Sequence, residues 1–321
     1  MNSNGKSNPR IFASIGECMI ELSRSRTHSG LYERRYGGDT LNTAVYLARL
    51  LDGREWQVRY ATKLGDDPFS TEMIAGWKAE GIDCGLVEIV KGRLPGLYMI
   101  DTDDSGERSF SYWRGEAPVR ELFSGNNDFL AARLAQSDAL YSSGITLAVL
   151  NDRGRTKLIE LLAARKLAGA LVAFDTNFRI RLWRDVPTMR KWFADAIAAA
   201  TICLPSVEDL SQIFTDQRSA EGWITLLAGM GCAEIVLKTG SDSVAVWTEG
   251  RLASIALPWI GKPVDTTGAG DSFNAGYLAA RVGGGSPRES VMAAHALASR
   301  VIQYPGAIIP RDRMSAAAPA K

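Results

Sequence analysis

The amino-acid sequence predicts an α/β protein built on a doubly wound, mostly parallel sheet with helices on both faces. From about Asp138 onward, apolar runs of strand length alternate strictly with longer stretches of helical period, and strands separated by helices pair in parallel through right-handed crossovers. Two glycine-led stretches, Gly37-Gly38 and Gly268-Ala269-Gly270, stand where helical patterns begin, and unpaired amides at such helix starts favour anions. The 321 residues are ample for a sizeable core, as one large domain or two smaller ones.

Taken in order, residues 11–15 form a buried strand ending at Gly16-Glu17, and residues 18–22 a second extended piece. Glu17 lies either where an open sheet binds ligands or as an ordinary exposed strand-end carboxylate. Residues 31–36 make another short strand. Leu41, Ala44, Val45, Ala48 and Leu51 then mark a helix, with Asp39 or Thr40 as N-cap and Asn42 in its first turn. Residues 58–64 are a strand, and Phe69, Met73 and Trp77 mark a helix that stops near Gly81. Residues 97–100 and 108–113 read as a hairpin around 101–106. That loop superficially resembles a calcium loop, but Tyr112 stands where the bidentate glutamate belongs, so it is a plain turn.

The alternating part gives strands at 139–143, 171–175 and 202–204, with helices at 152–167 and 188–199 between them. Strands at 234–238, 244–248 and 252–257 follow, the last two joined by Glu249-Gly250 as an antiparallel hairpin at one margin. Helices at 272–281 and 287–303 close the fold, linked by Gly283-Gly284-Gly285. Residues 1–10 and the Ala-rich tail 315–321 are expected to be loose.

Lys and Arg number 37 against 36 Asp and Glu, so no global field favours nucleic acid or an anionic membrane, and any anion is bound locally. The four cysteines lack paired spacing, which argues against a disulfide framework or a zinc site and for a reducing cytoplasm. No apolar run is long enough to span a bilayer. The two histidines, His28 and His295, stand in unrelated contexts and support neither a Ser-His-Asp site nor a metal site.

The stretch from Val264 to Gly276 concentrates the chemistry. Gly268, Ala269 and Gly270 offer a phosphate close approach to backbone amides. Asp271 beside them is electrostatically costly unless it accepts a proton from a hydroxyl attacking that phosphate. A Walker A loop is absent, because Gly261-Lys262 lacks the earlier glycine and the following Ser or Thr.

Asp265-Thr266-Thr267-Gly268-Ala269-Gly270-Asp271-Ser272-Phe273 resembles the C-terminal signature of the ribokinase-like (PfkB) carbohydrate kinases, and Gly37-Gly38 with Asn42 resembles their N-terminal glycine signature. The resemblance runs from Ile11 to about Pro310. It implies an ATP-dependent kinase of a small hydroxylated substrate, with a β-sheet lid inserted from roughly 17–36 and 97–113 into a kinase domain spanning 11–314. Asp271 is then the catalytic base, and Gly268, Ala269 and Gly270 are the anion hole. Residues 15–23, Tyr112-Trp113-Arg114, and Asp175-Thr176-Asn177-Phe178-Arg179 with Leu182-Trp183 are similar to the 2-keto-3-deoxygluconate kinases of that family. That likeness implies substrate binding by Gly37, Gly38, Asn42, Tyr98, Tyr112, Arg114 and Arg179. A sugar acid independently calls for cationic, bidentate donors, which a neutral sugar does not need.

On the nucleotide side, Ser206 and Asp209 replace the family's Asn and Glu in its magnesium-organising element, and both remain oxygen ligands. Lys238, Thr239 and Gly240 match the loop near phosphates and ribose, and His295 or Ser299 approaches the adenine. Asp265 and Thr267 are the family-implied site for a monovalent cation such as K+. The implied reaction is phosphorylation of 2-keto-3-deoxygluconate by ATP and Mg2+. The rivals are a fructokinase or a 2-keto-3-deoxygalactonate kinase on the same fold, and a catalytically silent sugar-binding regulator. An exposed lid sheet implies a homo-oligomer.

Overall fold

The computed structural model describes residues 8–25, 28, 30–102, 108–125 and 129–314. Its strands are β1 (Arg10–Ile15), β2 (Met19–Arg24), β3 (Tyr32–Gly37), β4 (Trp56–Gly65), β5 (Asp83–Val90), β6 (Leu97–Thr102), β7 (Arg108–Trp113), β8 (Ala139–Ser143), β9 (Leu171–Asp175), β10 (Ile202–Cys203), β11 (Glu234–Lys238), β12 (Ser243–Thr248) and β13 (Arg251–Ala256). Its α-helices are α1 (Asp39–Leu51), α2 (Pro68–Ala79), α3 (Phe129–Leu134), α4 (Gly144–Val149), α5 (Asp152–Leu167), α6 (Val186–Ala199), α7 (Val207–Phe214), α8 (Ala220–Gly229), α9 (Ala269–Val282) and α10 (Pro287–Val301).

Among the described residues, nine strands form one sheet in the order β13-β12-β11-β10-β9-β8-β1-β4-β5. Pairing is parallel from β5 across to β11 and antiparallel for β12 and β13. Side chains alternate between its two faces. Ala13, Ile15, Leu140, Val172, Phe174 and Ile235 pack with α5, α6 and α8, whereas Phe12, Tyr141, Ala173 and Val236 pack with α1, α2, α9 and α10. That two-sided burial is what doubly wound topology requires. The chain order reverses between β1 and β8, so the carboxyl ends of these strands and of β9 open the crevice in which such sheets bind ligands.

A separate four-stranded sheet, β3-β2-β6-β7, is built from the expected lid segments. The β12–β13 turn also forms as expected, with Glu249 and Gly250 at φ 51 and 75. Several features depart from expectation, among them the short helices α3 and α4, where no helix was expected. β5 adds a parallel edge strand where none was expected; its sequence DCGLVEIV is mostly half-buried and shows no clean alternation. Helices α7 and α8 fill the stretch between β10 and β11, each opened by a serine cap, Ser206 and Ser219. The N-cap of α1 is Gly38, without a side-chain cap bond, and not Asp39 or Thr40. Asn8 and Pro9 are described and β1 starts at Arg10; the remaining loose-end expectations, 1–7 and 315–321, and most of the 101–106 loop lie outside the described residues. No described helix is long and apolar enough to cross a membrane.

Candidate active site

The site begins at the N-terminus of α9. Gly268 is its N-cap at φ 75, and a Cβ there would lie 2.8 Å from the Ala307 Cα, so left-handed backbone and close packing both demand glycine. The Ala269 amide donates to the Thr266 carbonyl at 3.2 Å. A Cβ on exposed Gly270 would meet nothing within 4 Å, which leaves open space above the helix terminus for an anion. Asp265 holds the turn in shape: its Oδ1 accepts from the Thr267 amide at 2.9 Å and hydroxyl at 2.7 Å, and its Oδ2 from the Gly306 amide at 2.9 Å.

Asp271 lies in the first turn of α9, and Asn42 in that of α1. The Asn42 Nδ2 donates to Asp271 Oδ2 at 2.8 Å. Thr43 Oγ1 faces the carbonyls of Asp39 at 3.1 Å and Asp271 at 3.2 Å, tying the two helix starts together. Burial pushes the Asp271 carboxyl up to about 7, the Asp39 charge adds to the shift, and the Asn42 bond opposes it. A carboxylate so placed can hold or release a proton near neutral pH.

Around it stand Asp175, Asn274, Tyr141 and Asn177, to which the sequence assigned no role, and Asp39, expected only as a helix cap. Asp175, at the end of β9, accepts from Lys238 Nζ at 3.2 Å and Asn274 Nδ2 at 2.9 Å. Asn274 also donates to the Tyr141 hydroxyl at 3.1 Å. Asp39 accepts from Asn177 Nδ2 at 2.8 Å, and Asn177 holds φ 26. Burial raises the Asp39 and Asp209 carboxyls as well. Asp175 ends a core strand and Thr176 and Asn177 directly follow it, and that strand-end position is the signal that could have found them.

The lid brings together three of the expected substrate residues. Tyr98 and Tyr112 are cross-strand neighbours with rings stacked 5.8 Å apart, and the Arg114 guanidinium stands 5.8 Å from the Tyr112 ring. The Tyr98 hydroxyl donates to the Glu21 carboxylate, and a Cβ on Gly37 would come 2.5 Å from that hydroxyl. A Cβ on Gly38 would collide with the Glu17 carbonyl. Arg114 is buried and paired with Glu17, so the strand-end glutamate is neither exposed nor unpartnered. Arg179 stands apart from this group: it is exposed in the loop after β9, and its Nη1 donates to the Phe178 carbonyl at 2.6 Å.

The expected nucleotide residues spread along the same rim. Ser206 caps α7 by accepting from the Asp209 amide at 3.0 Å, and Asp209 Oδ2 accepts from Thr176 Oγ1 at 2.7 Å. Thr239 Oγ1 donates to the Ser243 carbonyl at 2.8 Å, and Gly240 holds φ 128. His295, on α10, meets the Pro258 carbonyl at 2.9 Å and the Ser299 hydroxyl at 3.3 Å.

The chain is 42% identical over 309 residues to the 2-dehydro-3-deoxygluconokinase of Dickeya dadantii (strain 3937), covering 95% of this chain and 98% of the relative. It is 30% identical over 243 residues to a fructokinase of Vibrio alginolyticus, covering 76% and 75%. A putative ribokinase II from Escherichia coli, solved in complex with ATP and Mg2+, shares the fold with a TM-score of 0.80 at 19% identity, over 96% of each chain. Residues 12–314 match the family described as pfkB family carbohydrate kinase, and the chain belongs to that family.

Proposed function

We propose that the protein transfers the γ-phosphoryl group of ATP to the 6-hydroxyl of 2-keto-3-deoxygluconate. The observation that carries the chemistry is Asp271, set beside the α9 N-terminus with its carboxyl raised to about 7 and oriented by Asn42. Asp271 takes the hydroxyl proton as the oxygen attacks the γ-phosphorus and the bond from that phosphorus to the ADP oxygen breaks. The Gly268 and Gly270 amides, with the helix dipole, are assigned to stabilise charge on the transferring group, the Ala269 amide being bonded to Thr266. Such an arrangement favours a kinase over a silent sugar-binding regulator.

Specificity for the sugar acid is assigned to Tyr98, Tyr112 and Arg114 in the lid and to Arg179 in the exposed loop after β9. The close likeness to a 2-dehydro-3-deoxygluconokinase over nearly the full length of both chains supports this substrate over a neutral sugar. Lys238, Thr239 and Gly240 receive the nucleotide phosphates and ribose, with His295 and Ser299 toward the base. The donor set of Ser206 and Asp209 is all oxygen, as Mg2+ requires; these residues would hold the ion, and bound there it neutralises phosphate charge. The exposed lid residues Leu31, Phe110 and Trp113 are the surface assigned to self-association, and the free thiols fit a reducing cytoplasm.

Phosphorus NMR of the product tests the reaction. A phosphomonoester coupled to the C6 methylene protons, formed one for one with ADP, is expected; a phosphate on another carbon, or free phosphate alone, contradicts the assignment.

A further inference from the structure

Glu17 and Arg114 form a buried ion pair at the junction between core and lid. The chain crosses that junction four times among the described residues: after β1, after β3, before β6 and after β7. All four crossings meet at Glu17. It occupies the first; Gly38, in the second, packs against its carbonyl; Gly96, in the third, leaves room for a Cβ only 3.0 Å from its Oε1; and Arg114, in the fourth, donates Nη2 to its Oε2.

The arrangement is expensive for a merely structural clasp. Glu17 is 3% exposed and Arg114 9%, and removing two charges from water often costs more than their attraction returns, so apolar residues hold such a junction as well or better. Glu17 Oε1 and Arg114 Nε are moreover both buried without a hydrogen-bond partner, each at the cost of an unmet bond. Arg114 is thus tethered at one nitrogen and not saturated. A guanidinium in that condition keeps donors for a second carboxylate.

We propose that Glu17 is a positioning residue for substrate: it fixes the Arg114 guanidinium at the base of the lid, so that the sugar-acid carboxylate meets it in one pose. This rests on the sugar-acid reading of function. While the site is empty, Glu17 also keeps the arginine from standing as a bare buried charge. Its action on substrate runs through Arg114 alone.

The test measures KM for 2-keto-3-deoxygluconate and for ATP in the wild type, Glu17→Gln, Arg114→Met and the double variant. Glu17→Gln is expected to raise the sugar-acid KM about tenfold or more, as misplacement of a positioning group does, while the ATP KM stays within about twofold. The double variant is expected to match Arg114→Met, because Glu17 has nothing left to position. An unchanged sugar-acid KM in Glu17→Gln, or a double variant clearly worse than Arg114→Met, overturns the proposal. If Glu17→Gln alone does not fold, the comparison of the double variant with Arg114→Met decides by the same criterion. A wild type that does not phosphorylate the sugar acid overturns the functional reading and the proposal with it, whereas a working wild type with unaltered Glu17→Gln kinetics overturns the proposal alone.

Discussion

Asn42 donates to Asp271 across 229 positions of sequence, at 2.8 Å, and its own Oδ1 is buried without a hydrogen-bond partner. The bond joins the first turns of α1 and α9, the two glycine-led helices, and fixes which way the carboxylate faces. Asn42 is thereby left with one acceptor to offer a hydroxyl that approaches Asp271.

Replacing Asp271 by Asn keeps size and removes the base. Turnover is expected to fall by something on the order of 10²–10⁴, with ATP binding by calorimetry and thermal stability retained. Wild-type turnover in this variant is the result that sinks the base assignment.

The pH dependence follows from the same group. The base works ionised, so kcat/KM is expected to rise with pH through a midpoint near the raised value of about 7. The Asn42 bond lowers that value and the Asp39 charge raises it. Asn42→Ala should therefore move the acid limb to higher pH and Asp39→Asn to lower pH, as read from full pH profiles. Shifts of opposite sign contradict the electrostatic account.

Stability carries a matching signature. The folded Asp271 carboxyl lies above its ordinary value of 3.8, so the folded state binds the proton more tightly. The contribution to stability is fully present below the unfolded value and is lost as pH rises through about 7. Urea titrations of wild type and Asp271→Asn should show the wild type losing stability relative to the variant between those limits. Parallel curves contradict the shift.

Two glycines are expected to be intolerant for different reasons. Gly268→Ala meets left-handed backbone and the Ala307 main chain, costing about 1–3 kcal/mol from the backbone alone. Gly38 has extended backbone at φ 178, so only space excludes a side chain, and Gly38→Ala should disturb Glu17 and the lid junction. Calorimetric melting together with the sugar-acid KM separates the two. Gly268→Ala should lower stability and turnover, and Gly38→Ala, whose Cβ collides with the Glu17 main chain, stability and sugar-acid affinity.

Much of this molecule is legible in sequence because its signals are local. Strands such as β8 and β9 are apolar runs bounded by helices, and the motif around Asp271 carries its family resemblance in contiguous residues. β5 escaped because a half-buried edge strand has no clean alternation, α7 because eight residues hold barely two turns of helical period, and α8 because its Ser219 cap stands behind the polar run Asp216-Gln217-Arg218. Within the site, the partners escaped more than the residues. Glu17 meets Arg114 across 97 positions and Asp39 meets Asn177 across 138, and only the sheet order brings them together. Arg114 was legible as a cation for a carboxylate, but not as one already held by a carboxylate of its own chain.

The most direct measurement is ADP release by the wild type over a panel of 2-keto-3-deoxygluconate, its galactonate epimer, fructose and ribose, each run to saturation with ATP and Mg2+. The highest kcat/KM is expected on 2-keto-3-deoxygluconate, with the neutral sugars lower by about the 2–3 kcal/mol or more lost when a site built for a charged hydrogen bond is left unpaired. Preference for fructose or ribose, or no ADP release with any of the four, contradicts the account.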